Sequence, residues 1–366
     1  MLPSRIQPLH PRNPSSSSSS EDLLSSFLPH LYPDETSSCH GIPGQILLYA
    51  SPLFGTIRIP VPDYAATSEK RDHDHSDDND DEGVIGNTRQ VGDVEVGRRL
   101  FAHYLWGGAL VVAERIEEAE RLRREEEEED VRVGRTWSVR GQKVLEVGAG
   151  AALPSVIAAL AGADIISITD HPSSAALRGA IQSCIAQNVS QETVRARISV
   201  HPHEWGVFFE NSSKRGSGET ENVGGKVIKF AADNKGTFTR IICADCLWIK
   251  DQHEHLVRSL LWFLKAPNKG SRGSEAATQD DGEYGIAWVV AGFHTGREIV
   301  ASFFETAVSM GLVVEDIYER DINATSEMGE VTREWMPVRE GEGPENRARW
   351  CVVAVLRKGV NDAQLS

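Results

Sequence analysis

Gly148, Ala149 and Gly150 make a turn with almost no side chain, and Asp170 follows Gly150 by twenty residues. Such a turn lets a ligand approach the backbone, and the amides at the start of the next helix can face it. An acid in that register can accept hydrogen bonds from both hydroxyls of a ribose. The spacing therefore points to an adenosine-like ligand. A dinucleotide fingerprint would place a third glycine at position 153, where this chain has Leu153 followed by Pro154. That pattern favours S-adenosylmethionine, which has no phosphate to cradle.

The elements that must hold these residues surround them. Val144, Leu145 and Val147 read as a strand buried on both faces, and Pro154 opens a helix through Val156, Ile157 and Leu160. Ile165 to Ile168 is the next strand, ending in Asp170. Seven strands are expected in all, at 144–147, 165–168, 197–201, 238–243, 286–290, 312–317 and 350–356. Helices are expected over 173–188, 253–264 and 298–310, as crossovers in a parallel sheet require. The last two strands have no helix between them and suit an antiparallel pair at the sheet's edge. Residues 211–225, 267–282 and 325–349 read as polar loops.

The other unusual residues fall at the carboxyl ends of these strands, where open α/β sheets gather ligands. Trp205 and Gly206 follow the third, Ala244 and Asp245 the fourth, and His294 the fifth. Trp205 can stack on or edge an adenine, and Ala244 is small enough for a methionine portion to pass its backbone. Asp245 can bind the cofactor's ammonium group, or hold an acceptor amine and take its proton. Positioning supplies most of the rate of methyl transfer from a sulfonium. His294 reads as a solvated or structural histidine. His253 and His255 lie two apart on a helix and cannot share a face as metal ligands. Cys243 and Cys246 form a CxxC with no second pair, so no zinc is expected. Upstream, 98–116 is amphipathic at helical spacing. The Gly107-Gly108 pair inside it costs about 1 kcal/mol each relative to alanine, and it reads as a gap that lets a ligand or a backbone reach Trp106.

A formal net charge of -16 argues against nucleic acid as a partner. Runs at 72–82 and 125–130 hold thirteen acids and read as solvated insertions. Five cysteines without regular spacing suit a reducing compartment. The longest apolar stretch, 151–168, is broken by Pro154, Ser155, Gly162 and Asp164, so no membrane span is expected. The organisation expected is a disordered Pro/Ser-rich tail over 1–44, in which 23–32 could dock as a short helix. A β-hairpin-like segment plus acidic linker follows over 45–89, then a catalytic domain over 90–360 and a tail over 361–366. The expected location is the cytoplasm.

The runs HYLWGGALVVAERI, VLEVGAGAALPSVIAALAGA, ITDHP, DCLWIKDQHEHL, AGFHTGR and RARWCVVAVL carry a resemblance. Over about residues 90–358 the chain resembles the seven-β-strand S-adenosylmethionine methyltransferases. More narrowly it resembles the fungal elongation factor methyltransferases, formerly termed nicotinamide N-methyltransferase-like and described as protein N-terminal and lysine methyltransferases. The resemblance implies a Rossmann-like class I methyltransferase fold: α/β, doubly wound, mostly parallel, with an antiparallel last strand. It implies cofactor contacts at Trp106, Gly148, Ala149, Gly150, Asp170, Trp205 and Ala244, the last standing where relatives place serine. It implies methylation of translation elongation factor 1-alpha at its N-terminal glycine and the adjacent lysine. The alternatives are a small-molecule N-methyltransferase of the nicotinamide type, a nicotinamide or flavin dehydrogenase, and a binding protein that keeps the fold without turnover. A closed apolar lid would mark the first alternative, and an open acidic groove near Asp245 would mark a basic peptide end as acceptor.

Overall fold

A computed structural model describes residues 2–9, 39–63, 104–125, 131–209, 219–267, 284–324 and 329–359. Most of the expected tail, with its candidate helix at 23–32, and the acidic run at 72–82 lie outside the described residues, as do most of the loop over 267–282 and residues 126–130 of the second acidic run.

Ahead of the main sheet come β1 (Ile6–Pro8), β2 (Cys39–His40), β3 (Ile46–Ser51), β4 (Gly55–Pro60) and β5 (Leu105–Trp106). The unit around the Gly turn follows as α1 (Gly107–Glu125), α2 (Val131–Trp137), β6 (Lys143–Val147), α3 (Leu153–Leu160) and β7 (Ile165–Asp170). The chain continues through α4 (Ala180–Asn188), α5 (Glu192–Arg195), β8 (Ile198–Pro202), α6 (Glu219–Asp233), β9 (Arg240–Ala244) and α7 (His253–Phe263). It closes with β10 (Ile286–Gly292), α8 (Arg297–Ser309), β11 (Leu312–Asp321), β12 (Thr332–Glu334), α9 (Pro344–Arg347) and β13 (Trp350–Lys358).

The main sheet has the order β12-β11-β13-β10-β9-β6-β7-β8. Strands β10, β9, β6, β7 and β8 pair in parallel, and β13 is antiparallel to both of its neighbours. The strand order reverses between β6 and β9, the switch point where such sheets bind ligands. This is the α/β Rossmann-like arrangement of the class I methyltransferases. All seven expected strands are present. The last two, β11 and β13, form the expected antiparallel pair towards one edge. One detail differs: β12, inside the segment read as a polar loop, adds an eighth strand outside that pair.

Alternation along the strands divides the core between the two faces. In β10, Ile286, Trp288 and Val290 join the cluster under α1, α3 and α4, while Ala287, Val289 and Ala291 face α7 and α8. In β6, Val144 points to the first face, and Leu145 and Val147 to the second. This period of two in strands apolar on both faces is what burial under two helical layers demands. Charge holds β12 in place. Arg297 at the start of α8 donates to Glu319 and Glu342, and Arg333 of β12 donates to the same two carboxylates. Paired ions of this kind can be buried, whereas single ones would be too costly.

Three expectations about local structure are corrected. Of the helix expected over 98–116, residues 98–103 lie outside the described residues; in the remainder Leu105–Trp106 form a two-residue strand paired with Cys39–His40, and helix runs from Gly107. The loop expected over 211–225 gives way to helix from Glu219, because Val227, Phe230 and Ala231 further along the same helix bury a face in the core. The helix expected over 173–188 is split by Gly179 into a 3-10 turn, Ala175–Arg178, and α4.

The β3–β4 hairpin is joined by β1 as a third strand. It meets the larger sheet's helices through Tyr49, whose hydroxyl donates to Glu117 of α1 at 2.8 Å. On the other side, Asn188 accepts from the Arg58 amide and donates to the Arg58 carbonyl, closing the open edge of β4. Among the described residues no helix is long and apolar enough to cross a membrane.

Candidate functional site

Gly148 and Gly150 have φ of +63° and +50°, which a side chain rarely adopts. At Gly148 space forbids one as well: a Cβ would lie 2.9 Å from Cys246 Sγ and 3.3 Å from Trp205 Cζ2. Asp170, at the end of β7, accepts the Gly150 amide on Oδ2 at 2.8 Å and the His171 amide on Oδ1 at 2.7 Å. The acid expected twenty residues on is thus directly beside the turn. The Ala149 amide instead donates to the Thr169 carbonyl, which fixes the turn against β7.

Beneath the turn, Glu146 accepts the backbone amide and the hydroxyl of Ser155, at the start of α3. Burial pushes its carboxyl up to about 8, against the pull of the Ser155 bonds and with a further push from Asp170. A group raised in the folded state stabilises fully below its unfolded value, and that contribution is lost as pH rises through the folded value. Wild-type stability should therefore fall relative to Glu146→Gln by up to about 1.4 kcal/mol per pH unit between pH 5 and 8. Denaturant unfolding of both proteins across that range checks it, and parallel profiles would show that Glu146 does not titrate there.

Asp245 adopts a left-handed conformation, φ +53°, just past β9. Its amide donates to the Val290 carbonyl at 2.8 Å. Its Oδ2 accepts from Gly108 at 2.5 Å and its Oδ1 from Gly292 at 2.8 Å. One carboxylate thereby joins the start of α1, where helix amides are unpaired and favour negative charge, to the end of β10. Burial raises its pKa above the usual carboxylate range, and His294 and the two amides work against that rise. Asp245 is only 8% exposed although it borders the cleft. The acids nearer solvent are Glu204 and Asp170.

Trp205 is positioned by the loop after β8. Ser259 Oγ accepts the Gly206 amide at 2.9 Å and is 3.1 Å from His203 Nε2. Burial pushes His203 down to about 4, so the ring is neutral.

The cleft at these strand ends brings together Trp106, Gly148, Gly150, Asp170, Trp205, Ala244 and Asp245. Of the residues singled out at the glycine turn and the strand ends, Ala149, Gly206 and His294 are not among its lining. The lining that sequence reasoning missed includes Tyr104, His203, Glu204, Cys246 and Trp248. Cys246 and Trp248 sat in the DCLW run beside Asp245, and His203 and Glu204 immediately precede Trp205, so adjacency was the available signal. Among the described residues the lining contains three carboxylates, Asp170, Glu204 and Asp245, and no lysine or arginine. A dinucleotide's pyrophosphate would find no cation there. A cationic sulfonium with a ribose and a flat base fits the acids, the glycine cradle and the indoles.

No protein-family model matches the chain. It is similar to fungal proteins named protein N-terminal and lysine N-methyltransferase EFM7. That of Gibberella zeae is 28% identical over 235 residues, 61% of this chain and 70% of the relative. That of Schizosaccharomyces pombe is 28% identical over 44% of this chain and 49% of the relative. The Neurospora crassa protein is 29% identical over 45% and 50% respectively, so two of these matches span about half of the relatives' length. The chain is an S-adenosylmethionine-dependent methyltransferase. Among solved structures, a putative S-adenosylmethionine-dependent methyltransferase from Streptococcus mutans matches at 12% identity with a TM-score of 0.40, covering 92% of this chain and 65% of that one. In this methyltransferase the glycine turn follows β6, next to the point where the strand order reverses, and meets the acid at the end of β7.

Proposed function

We propose that this methyltransferase acts on protein amines, methylating the N-terminal glycine and the adjacent lysine of translation elongation factor 1-alpha in the cytoplasm. The observation that carries the reading is the cleft lining: three carboxylates, no lysine or arginine among the described residues, and aromatic walls from Tyr104, Trp106, Trp205 and Trp248. Such a lining attracts a chain end that carries an α-ammonium and a lysine ammonium side by side. The names of the fungal relatives support the same substrate class.

In this reading Gly148, Ala149 and Gly150 cradle the cofactor, Asp170 takes the ribose hydroxyls and Trp205 covers the adenine. Ala244 and Trp106 border the methionine portion. S-adenosylmethionine supplies an electrophilic methyl group on a sulfonium. Asp245 is held by two backbone amides, keeps lone pairs on both oxygens, and has a pKa raised by burial. It accepts the proton that the acceptor amine must lose, directly or through a water. The remaining side chains orient the amine and exclude solvent.

Incubation with radiolabelled S-adenosylmethionine and an extract lacking this enzyme, followed by electrophoresis and mass spectrometry, tests the reading. Label on elongation factor 1-alpha, confined to its first residues, is the expected result. Label confined to the small-molecule fraction would replace it with the nicotinamide-type alternative.

A further inference from the structure

Behind Trp106 stands a histidine that the cleft does not expose. His294 follows β10, in a turn closed by the Gly296 amide on the Phe293 carbonyl at 3.0 Å. Its ring stacks on the Trp106 indole with centroids 4.4 Å apart and planes 27° from parallel. Trp106 lines the cleft, and His294, stacked on it, is not among the lining residues. Tyr104 meets the same indole edge-on, with centroids 5.9 Å apart, and the Trp106 backbone pairs with Cys39. The imidazole also borders Asp245: a Cβ on Gly292 would lie 3.2 Å from His294 Nδ1 and 3.7 Å from Asp245 Oδ1. Burial holds His294 below the usual histidine range, against the pull of Asp245. A neutral aromatic face therefore meets the indole.

We propose that His294 is a positioning residue for methyl transfer: by stacking, it holds the Trp106 indole at the angle at which the indole's opposite face meets the sulfonium of the cofactor. In this role His294 supports an aromatic surface and takes no proton from the acceptor. The inference rests on the reading that Trp106 borders the methionine portion. It makes a specific demand on ligand charge. An indole face attracts a cation, and S-adenosylhomocysteine, with a neutral thioether, lacks it.

Calorimetric titration of the full chain with both ligands tests this, with thermal unfolding of each variant as the folding control. His294→Ala is expected to weaken S-adenosylmethionine binding about fivefold to twentyfold while changing S-adenosylhomocysteine binding no more than about twofold. His294→Phe, which keeps a stacking ring, is expected to bind both ligands within about twofold of wild type. Equal losses for the two ligands in His294→Ala, or a Phe variant as weak as the Ala variant, would overturn the stacking role. Trp106→Ala separates the levels of the argument. If it weakens cofactor binding while His294→Ala does not, the inference about His294 fails alone. If Trp106→Ala leaves cofactor binding unchanged, the placement of Trp106 beside the methionine portion fails, and the inference with it.

Discussion

Asp170→Ala should weaken S-adenosylmethionine binding by about 1 to 3 kcal/mol, roughly fivefold to 150-fold in Kd. The carboxylate lies at the end of β7 on the cleft wall, with one amide already on each oxygen. A carboxylate offers about four acceptor sites, and the same two oxygens that hold Gly150 and His171 are the ones a pair of ribose hydroxyls would meet. Removing the carboxylate loses those charged hydrogen bonds and takes away the acceptor that holds the Gly150 amide. Asp170→Asn keeps one acceptor oxygen, so its loss should lie between wild type and alanine. Titration calorimetry on the three proteins, with unfolding midpoints beside it, separates lost contacts from a disordered turn. Unchanged affinity in Asp170→Ala would remove this residue from the cofactor site.

Gly108→Ala should be the more damaging change to the protein as a whole. The added methyl would lie 2.5 Å from Asp245 Oδ2 and 2.8 Å from the Val290 carbonyl oxygen. Neither neighbour can retreat cheaply. Asp245 is bonded to Gly108 and Gly292 through its carboxylate, and its own amide is bonded to that same Val290 carbonyl. Overpacking costs about 1 to 3 kcal/mol, and a buried carboxylate torn from an amide costs about 1 to 3 kcal/mol more. The expected result is a clearly lower denaturant midpoint together with a loss of turnover, because Asp245 and Trp106 move with the start of α1. Gly134→Ala in α2 is the control. Nothing lies within 4 Å of its added methyl, and alanine favours helix by about 1 kcal/mol over glycine. A Gly108→Ala protein as stable and active as wild type would show that α1 is free to shift, and that Asp245 does not hold it.

The Gly107-Gly108 pair shows where reading the chain alone stops. As a sequence it is a costly pair inside an amphipathic run beside Trp106, and a gap for a ligand is a reasonable reading. In the fold it opens α1, and the group that fills the gap is the Asp245 carboxylate, 137 residues away. The polar segment over 325–349 is a second example. It reads as a polar loop, yet its Arg333 and Glu342 pair with Glu319 and Arg297 and bring β12 to the sheet. Charge in a sequence does not announce a partner that arrives from another strand.

What the sequence determined by itself lies within short reach along the chain. The strand, glycine turn, helix, strand and acid from Lys143 to Asp170 form one βαβ unit, whose periodicity and turn chemistry are set by neighbouring residues, and Asp170 meets Gly150 as the spacing requires. The apolar runs of the other strands are equally local, so all seven were legible. Only the tertiary structure decided which strands lie side by side, with β13 between β10 and β11, and which side chains meet across them. The clamp of Asp245 on Gly108 and the stack of His294 on Trp106 join residues with no periodic or spacing relation. Such contacts arise when separate elements pack in three dimensions, and no local pattern in the chain records them.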